Sequence, residues 1–394
     1  MAISFGVGLS KLKDSFQAGK EAAEKALSQM GPSTPDLVLA FSSIKFNLPE
    51  LIKGIRSVTG KSQLIGCTTG GEIDSFGAHT GSVVVAVLKS DKIKIFTSKY
   101  EDLSDNPRKG GEEFAKFLTQ SISKEEKGII IIFPDGLAGN MTEVVRGIYD
   151  FIGPNKNLIG GGPGDEWRIE KTYQFFNDQV LSDSIVGAYL DSDINIGYGI
   201  KHGFKPSGEP LLVTKAQGNI LQELNNEPAV NVYLDYFNLS LNEIGLKKLG
   251  SMKEANFYPL GIPVLRDEYQ IVHVTDRNPD GSIICVNEIP ENSIVRIMKT
   301  TKEELLEAVR EAAEQAVSMV KERKIKAGLI FDCISRPWIL EKDNQKEIEI
   351  VKEIIGQDIP FAGFYTYGEI GQCSMAEGRP LFHTMTIVIC LLAE

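Results

Sequence analysis

Gly363-Phe-Tyr-Thr-Tyr-Gly-Glu369 follows a short apolar strand signal at Ile359–Phe361 and precedes an isoleucine. A Gly that opens the motif and a Glu that closes it six residues later recur twice upstream. The other copies are Gly66-Cys-Thr-Thr-Gly-Gly-Glu72 and Gly160-Gly-Gly-Pro-Gly-Asp-Glu166. The flanks recur as well. A helical stretch ends in Gly60, Gly153 or Gly356 before each motif. Ahead of that helix an apolar strand ends in Phe, at Leu37–Phe41, Ile129–Phe133 and Leu329–Phe331. Another strand signal follows each motif, at Ser82–Leu88, Ile185–Leu190 and Thr386–Leu392. Self-similarity on this scale is the signature of repeated structural units. The sequence therefore predicts three β-α-β-α-β-β units, near residues 3–90, 92–191 and 294–394.

Local signals agree with that frame. Thr301-Lys-Glu-Glu304 is a capping box opening a helix whose buried stripe is Leu305, Val309, Ala312, Ala316 and Val320. Gly128–Phe133 is apolar on nearly every residue, as a strand buried on both faces requires. Segment 201–293 lacks the rhythm; it holds strand signals at Leu211–Lys215 and Tyr269–Thr275 and a turn at Asp280-Gly281. Ile294–Met298 reads as the first strand of unit three. The predicted fold class is α/β with mixed sheets. Helical crossovers of fixed hand put both helices of a unit on one face of its sheet. Three bare faces would then bury one another in a pseudo-threefold arrangement, with the inserted α+β segment on the flank.

The 394 residues are 42% apolar and 24% charged, as in an ordinary globular protein with more than one core. A net charge of −11 without any basic run argues against nucleic acid or an anionic membrane as partner. No run of about 18 apolar residues provides a membrane span, and the N-terminus has no signal-peptide pattern. Cys67, Cys285, Cys333, Cys373 and Cys390 are scattered and never form Cys-x-x-Cys, so a reducing cytoplasm is expected.

A residue present in every copy serves what every copy shares. Gly66, Gly160 and Gly363 read as glycines supplying positive φ, and Glu72, Glu166 and Glu369 as carboxylates accepting turn N–H groups. Features of one copy alone carry the functional signal, and in unit three these are Cys333, Arg336, Tyr365 and Tyr367. Arg336 follows a strand end, where open sheets place ligand crevices, and its fork suits a carboxylate; an ion pair is the alternative. Tyr365 and Tyr367, with Gly368 and Glu369, would wall a pocket or pack with hydroxyls at a rim. Cys333 is a reactive thiolate or a buried inert thiol. Gly160–Gly164 fails as a phosphate loop because no helix pattern follows, and Thr59-Gly-Lys-Ser62 imitates a Walker loop with the wrong spacing. Four histidines lie far apart in sequence and make no metal-ligand spacing, and no catalytic elbow or zinc motif is present.

The chain resembles the FIST domain proteins along nearly its whole length. The N-terminal FIST region is similar to Leu64-Ile-Gly-Cys-Thr-Thr-Gly-Gly-Glu-Ile73, followed by His202-Gly-Phe-Lys-Pro-Ser-Gly208 and Gln217-Gly-Asn-Ile-Leu-Gln-Glu-Leu224. The C-terminal region is similar to Tyr258-Pro-Leu-Gly261, Asp280-Gly-Ser282, Cys333-Ile-Ser-Arg336, Gly363-Phe-Tyr-Thr-Tyr-Gly-Glu-Ile370 and Phe382-His-Thr-Met-Thr386. The resemblance divides the chain into an N-terminal region, 1–200, and a C-terminal region, 201–394. It implies a sensory module of signal transduction that binds small molecules such as amino acids. Many members carry kinase, cyclase or chemoreceptor output domains. This chain ends four residues after Cys390, so signalling in trans to a histidine kinase or another output protein is expected. One branch binds haem and reports nitric oxide; here His202 or His383 would be the axial ligand, although Thr384 stands where the family has Asn. The leading expectation is a sensor without cofactor, holding an amino acid or similar carboxylate at Arg336, Cys333, Tyr365, Tyr367, Gly368 and Glu369. A haem sensor and an enzyme using Cys333 or a motif carboxylate are the alternatives.

Overall fold

The computed structural model describes residues 3–31, 33–120, 128–154, 156–192, 195–245, 248–265, 268–372 and 379–394, so Cys373 lies outside the described residues. It is a mixed α/β structure with three six-stranded sheets and one eight-stranded sheet. In the first sheet the order is Ile3–Ser10, Val83–Ser90, Leu37–Ser42, Gln63–Thr68, Gln174–Phe176, Gln179–Leu181. In the second it is Ile93–Glu101, Ser184–Ser192, Gly128–Pro134, Asn157–Gly161, Glu369–Gln372, Pro380–His383. In the third it is Asn195–Lys201, Ile387–Ala393, Ile325–Cys333, Phe361–Thr366, Glu72–Asp74, Gly77–His79. Each six-stranded sheet thus holds a parallel inner pair and, at one edge, a two-stranded hairpin from a different sequence unit. That the units are copies of one repeat remains the proposal made from the sequence.

The all-apolar strands divide their residues between two cores. Leu37, Leu39 and Phe41 face a core shared by all three sheets, whereas Val38 and Ala40 face the helices Ser15–Met30 and Leu48–Thr59. Ile129, Ile131 and Phe133 likewise face the shared core, and Ile130 and Ile132 face Pro107–Thr119 and Met141–Ile152. Period-two alternation buries both faces, which is why no polar residue interrupts these runs. At the centre the strand-ending phenylalanines meet. Phe364 lies 4.9 Å from Phe41 and 5.7 Å from both Phe133 and Phe331, centroid to centroid.

Two sequence expectations change here. The edge strand of the third sheet is Asn195–Lys201, and Ile294–Lys299 belongs to the eight-stranded sheet, paired with Lys205–Gln217 and Leu260–Leu265. The reason is helix clearance. A Cβ on Gly197 or Gly199 would come within 2.0 Å of the Ala316 or Ala312 carbonyl, so only glycine lets helix Lys302–Val320 lie on this strand. Second, the motif glycines are not generally positive-φ residues. Gly160 has φ +152°, but Gly66 and Gly363 do not lie in that region. What excludes a side chain is the neighbouring parallel strand: a Cβ would stand 1.8–2.0 Å from the carbonyls of Ala40, Ile132 and Ile330.

The eight-stranded sheet has its own core, including Val213, Leu221, Tyr233, Val272 and Val295. The Asp280-Gly281 turn joins the antiparallel strands Val274–Arg277 and Ile283–Cys285, as its sequence requires.

Candidate functional site

Each motif starts in an inner parallel strand and leads toward a hairpin that leaves for another sheet, so the three motifs converge. Gly70 N–H donates to the Tyr365 carbonyl and Tyr365 N–H to the Gly71 carbonyl, both at 2.8 Å. Gly162 N–H donates to Gly368 at 2.8 Å, Tyr367 N–H to Gly162 at 2.9 Å, and Gly164 N–H to Thr68 at 3.0 Å. Close backbone passage of this kind demands glycine. At Gly368, with φ +113°, a Cβ would also strike the Phe382 ring.

Two motif glutamates have matching, fully buried environments. Glu72 accepts from the Thr69 hydroxyl, the Ser82 hydroxyl and Ser82 N–H; Glu369 accepts from the Thr366 hydroxyl, the Thr386 hydroxyl and Thr386 N–H. Burial outweighs these hydrogen bonds and pushes each carboxyl up to about 7. Glu166 does not occupy the corresponding place. It turns toward Ser43 and Lys45, at 2.6 and 2.7 Å. The strand register assigns the third position to Gln174. Ile73, Ile370 and Phe175 stand opposite Gly363, Gly160 and Gly66, and the residue before each is Glu72, Glu369 or Gln174. Gln174 accepts from the Ser184 hydroxyl at 2.7 Å, as Glu72 does from Ser82. The longer loop of unit two, 162–173, displaces the equivalent residue eight positions past Glu166.

That loop is tightly tied and conformationally strained. Glu166, Trp167 and Ile169 have φ of 56°, 68° and 53°, which is costly for a β-branched residue. The Asp165 carboxylate holds it, accepting N–H groups of Ile169, Glu170 and Lys171 at 2.8–3.1 Å and the Tyr367 hydroxyl at 2.5 Å. Burial opposes ionisation of Asp165, but those four donors keep it below the usual carboxylate range. The Tyr367 hydroxyl in turn accepts Trp167 N–H at 2.7 Å. Beside this loop opens a cleft of about 580 Å³, lined by Phe46, Asn47, Asp165, Arg168, Glu170, Lys171 and Tyr173. Arg168 and Lys171 are exposed, and Lys171 lies over the Tyr173 ring at 5.2 Å.

The other unit-three candidates lie elsewhere. Arg336 is not at an open strand-end crevice: it is fully buried in the helix Ser335–Leu340, 2.9 Å from Asp332 and 2.8 Å from Glu347. It also donates to the Leu305 and His202 carbonyls, so a ligand carboxylate would have to displace these partners. Tyr365 is 4% exposed and packs toward the same cluster. Cys333 is buried, and burial and nearby Glu369 push its thiol well up, which disfavours a thiolate nucleophile.

The FIST N domain matches residues 36–227, and the FIST C domain matches residues 229–372. The chain belongs to the FIST family. FIST domains are associated with sensing in signal transduction. An uncharacterized protein of Methanocaldococcus jannaschii is 23% identical over 327 residues, spanning 78% of this chain and 62% of its own length. The FIST chain thus covers less than two thirds of that relative. An uncharacterized protein of Mycobacterium tuberculosis is 22% identical over 405 residues and 99% of both chains. Among solved structures, a cyanuric acid hydrolase from A. caulinodans gives a TM-score of 0.29 at 9% identity, over 48% of this chain and 71% of its own. PurLQS from Thermotoga maritima gives 0.22 at 8% identity, over 99% and 72%. Both values are too low to define a shared fold.

Haem does not fit the histidines of this FIST protein. An axial ligand must face a wide apolar slot. His202 lines a cleft of about 250 Å³ together with Glu268, Glu304, Glu307 and Glu311. His383 is 1% exposed, with Nε2 3.3 Å from the Gly371 carbonyl. Burial lowers both imidazoles, to about 3 and about 4. The residues that sequence reasoning missed are Asp165, Arg168 and Lys171. Their signal was the extra length of the unit-two loop and the charged residues of Asp165–Lys171.

Proposed function

We propose that this FIST protein is a small-molecule sensor working in the cytoplasm. Its ligand is a small carboxylate, an amino acid first of all, held in the cleft beside the motif junction. The observation that carries this reading is the placement of exposed Arg168 and Lys171 with Asp165 and Glu170 around one space of about 580 Å³. That volume lies within the range of small-molecule sites. A guanidinium and an ammonium suit the ligand carboxylate, and Glu170 suits its ammonium. Occupancy would be read by the 162–173 loop, because Asp165 ties the cleft to Tyr367 and so to the third motif. A separate output protein, such as a histidine kinase, would receive the signal. The same site replaces Arg336 as the carboxylate fork, since Arg336 already serves two buried acids.

Thermal-shift screening with the common amino acids and related carboxylates, followed by titration calorimetry, tests the proposal. A ligand at about 100 times its Kd adds about 2.7 kcal/mol of stability. Arg168→Ala should weaken binding by roughly 10-fold to 150-fold, the loss of about 1.5–3 kcal/mol from a charge-assisted hydrogen bond. Absence of any shift across the panel, or unchanged affinity in Arg168→Ala and Lys171→Ala, would remove the cleft as the site.

A further inference from the structure

The buried cluster around Arg336 contains one cation and two acids. Asp332 comes from the strand Ile325–Cys333, Arg336 from the helix that follows, and Glu347 from the helix Gln345–Ile355. Their exposures are 1%, 0% and 1%, so water cannot compensate an excess charge. Arg336 Nε and Nη2 both donate to one oxygen of Glu347, Oε1, at 3.0 and 2.8 Å. Among the described residues, no donor hydrogen-bonds to the other oxygen, Oε2, or to Asp332 Oδ1. Asp332 Oδ1 lies 2.9 Å from Arg336 Nε, but not in hydrogen-bonding geometry. Asp332 Oδ1 and Glu347 Oε1 thus both stand within 3.0 Å of the same nitrogen, Arg336 Nε, which crowds the two carboxyl groups together. Two acids crowded onto one guanidinium nitrogen, each with an orphan oxygen, lack one donor between them. If both were ionised, the cluster would bury a net charge of −1 that no solvent compensates.

We propose that Asp332 is a neutral carboxylic acid in the native protein, donating its proton to Glu347, so that the cluster is electrically neutral. One proton then meets the missing-donor requirement. The other groups facing Asp332 support the assignment. Tyr365, from the neighbouring strand, is a neutral phenol whose hydroxyl makes no hydrogen bond among the described residues, so it does not supply the missing donor. Glu369 adds negative potential, Cys333 stays a thiol, and His202 reaches the cluster through its carbonyl. Burial first, then Glu347, raises Asp332 well above the ordinary aspartate range, against the opposing pull of Arg336. The proton fastens both helices to the parallel strand pair of the third sheet. Its release at alkaline pH would charge the cluster and loosen that latch.

A raised acid contributes stability that is fully present below its unfolded value, about 3.9, and is lost as pH rises through its folded value. Asp332→Asn keeps the shape and the donor but cannot ionise. Its melting temperature should be close to that of the unaltered protein near pH 5 and should exceed it increasingly toward pH 9. A variant that melts lower by a constant margin across this range would show an ionised Asp332 and overturn the proposal. Should the variant fail to fold, infrared spectroscopy of the unaltered protein with only its aspartates carbon-13 labelled decides. A labelled carboxylic-acid band at pH 7 is expected, and its absence overturns the assignment.

Discussion

Glu72 and Glu369 are buried acids whose hydrogen-bond partners correspond one to one, and Gln174 fills the third place with a neutral side chain. A neutral amide in that place indicates that the hairpin junction needs acceptor oxygen and shape, not charge. Each glutamate is pushed up to about 7 by burial. Folded protein therefore binds these protons more tightly than unfolded chain does, and stability from each falls as pH rises from the unfolded value toward about 7. Over that window each contributes about 3 kcal/mol, at about 1.4 kcal/mol per unit. Glu72→Gln should keep the stability of the unaltered protein near pH 5 and flatten its decline toward neutrality; denaturant melts at stepped pH values check this. Glu369→Gln should do the same, since its environment matches. A loss of ligand affinity in Glu369→Gln without loss of stability would restore to Glu369 a role in binding.

The motif-opening glycines belong to the scale of the element. Gly363 faces the Ile330 carbonyl so closely that a Cβ would lie 1.8 Å away, and the partner is backbone that cannot swing aside. Gly363→Ala should therefore destabilise at or beyond the top of the usual overpacking range of about 1–3 kcal/mol. Gly66→Ala and Gly160→Ala should behave alike, and chemical denaturation with an intact far-ultraviolet spectrum at zero denaturant is the check. These elements were largely legible. Apolar runs ending in Phe41, Phe133 and Phe331 gave the central strands, and the Thr301 capping box gave the helix start. The edge strand Asn195–Lys201 was also written in the sequence, because Gly197-Tyr-Gly199 answers Gly6-Val-Gly8, and both admit a helix against the strand. Exchange of hairpins between sheets was not legible, since pairing partners up to about three hundred residues apart leave no local periodicity. The fate of Arg336 was hidden for the same reason: its deciding partner, Glu347, lies on another helix. Arg168 and the cleft depend on loop conformation, for which the sequence offered only excess length.

At the scale of the whole molecule, the faces of the three sheets away from the helices are closed by one core with Phe41, Phe133, Phe331 and Phe364 at its centre. All four rings are fully buried, and Phe364 touches the other three. Removing a ring from a close-packed site costs its transfer energy plus a cavity, about 3–5 kcal/mol for Phe→Ala. Because this core belongs to every sheet at once, the loss cannot be confined to one sequence unit. Exchanged hairpins strengthen that coupling, since none of the three six-stranded sheets is complete without strands from another unit. Phe364→Ala should therefore lower one cooperative calorimetric transition that includes all three sheets. The eight-stranded sheet rests on a separate core, where Val274→Ala should act on a transition of its own if that layer melts independently. Hydrogen exchange locates the effect. Loss of protection in Phe364→Ala should appear together in Leu37–Ser42, Gly128–Pro134 and Ile325–Cys333, and protection lost in the third sheet alone would show that the units fold separately.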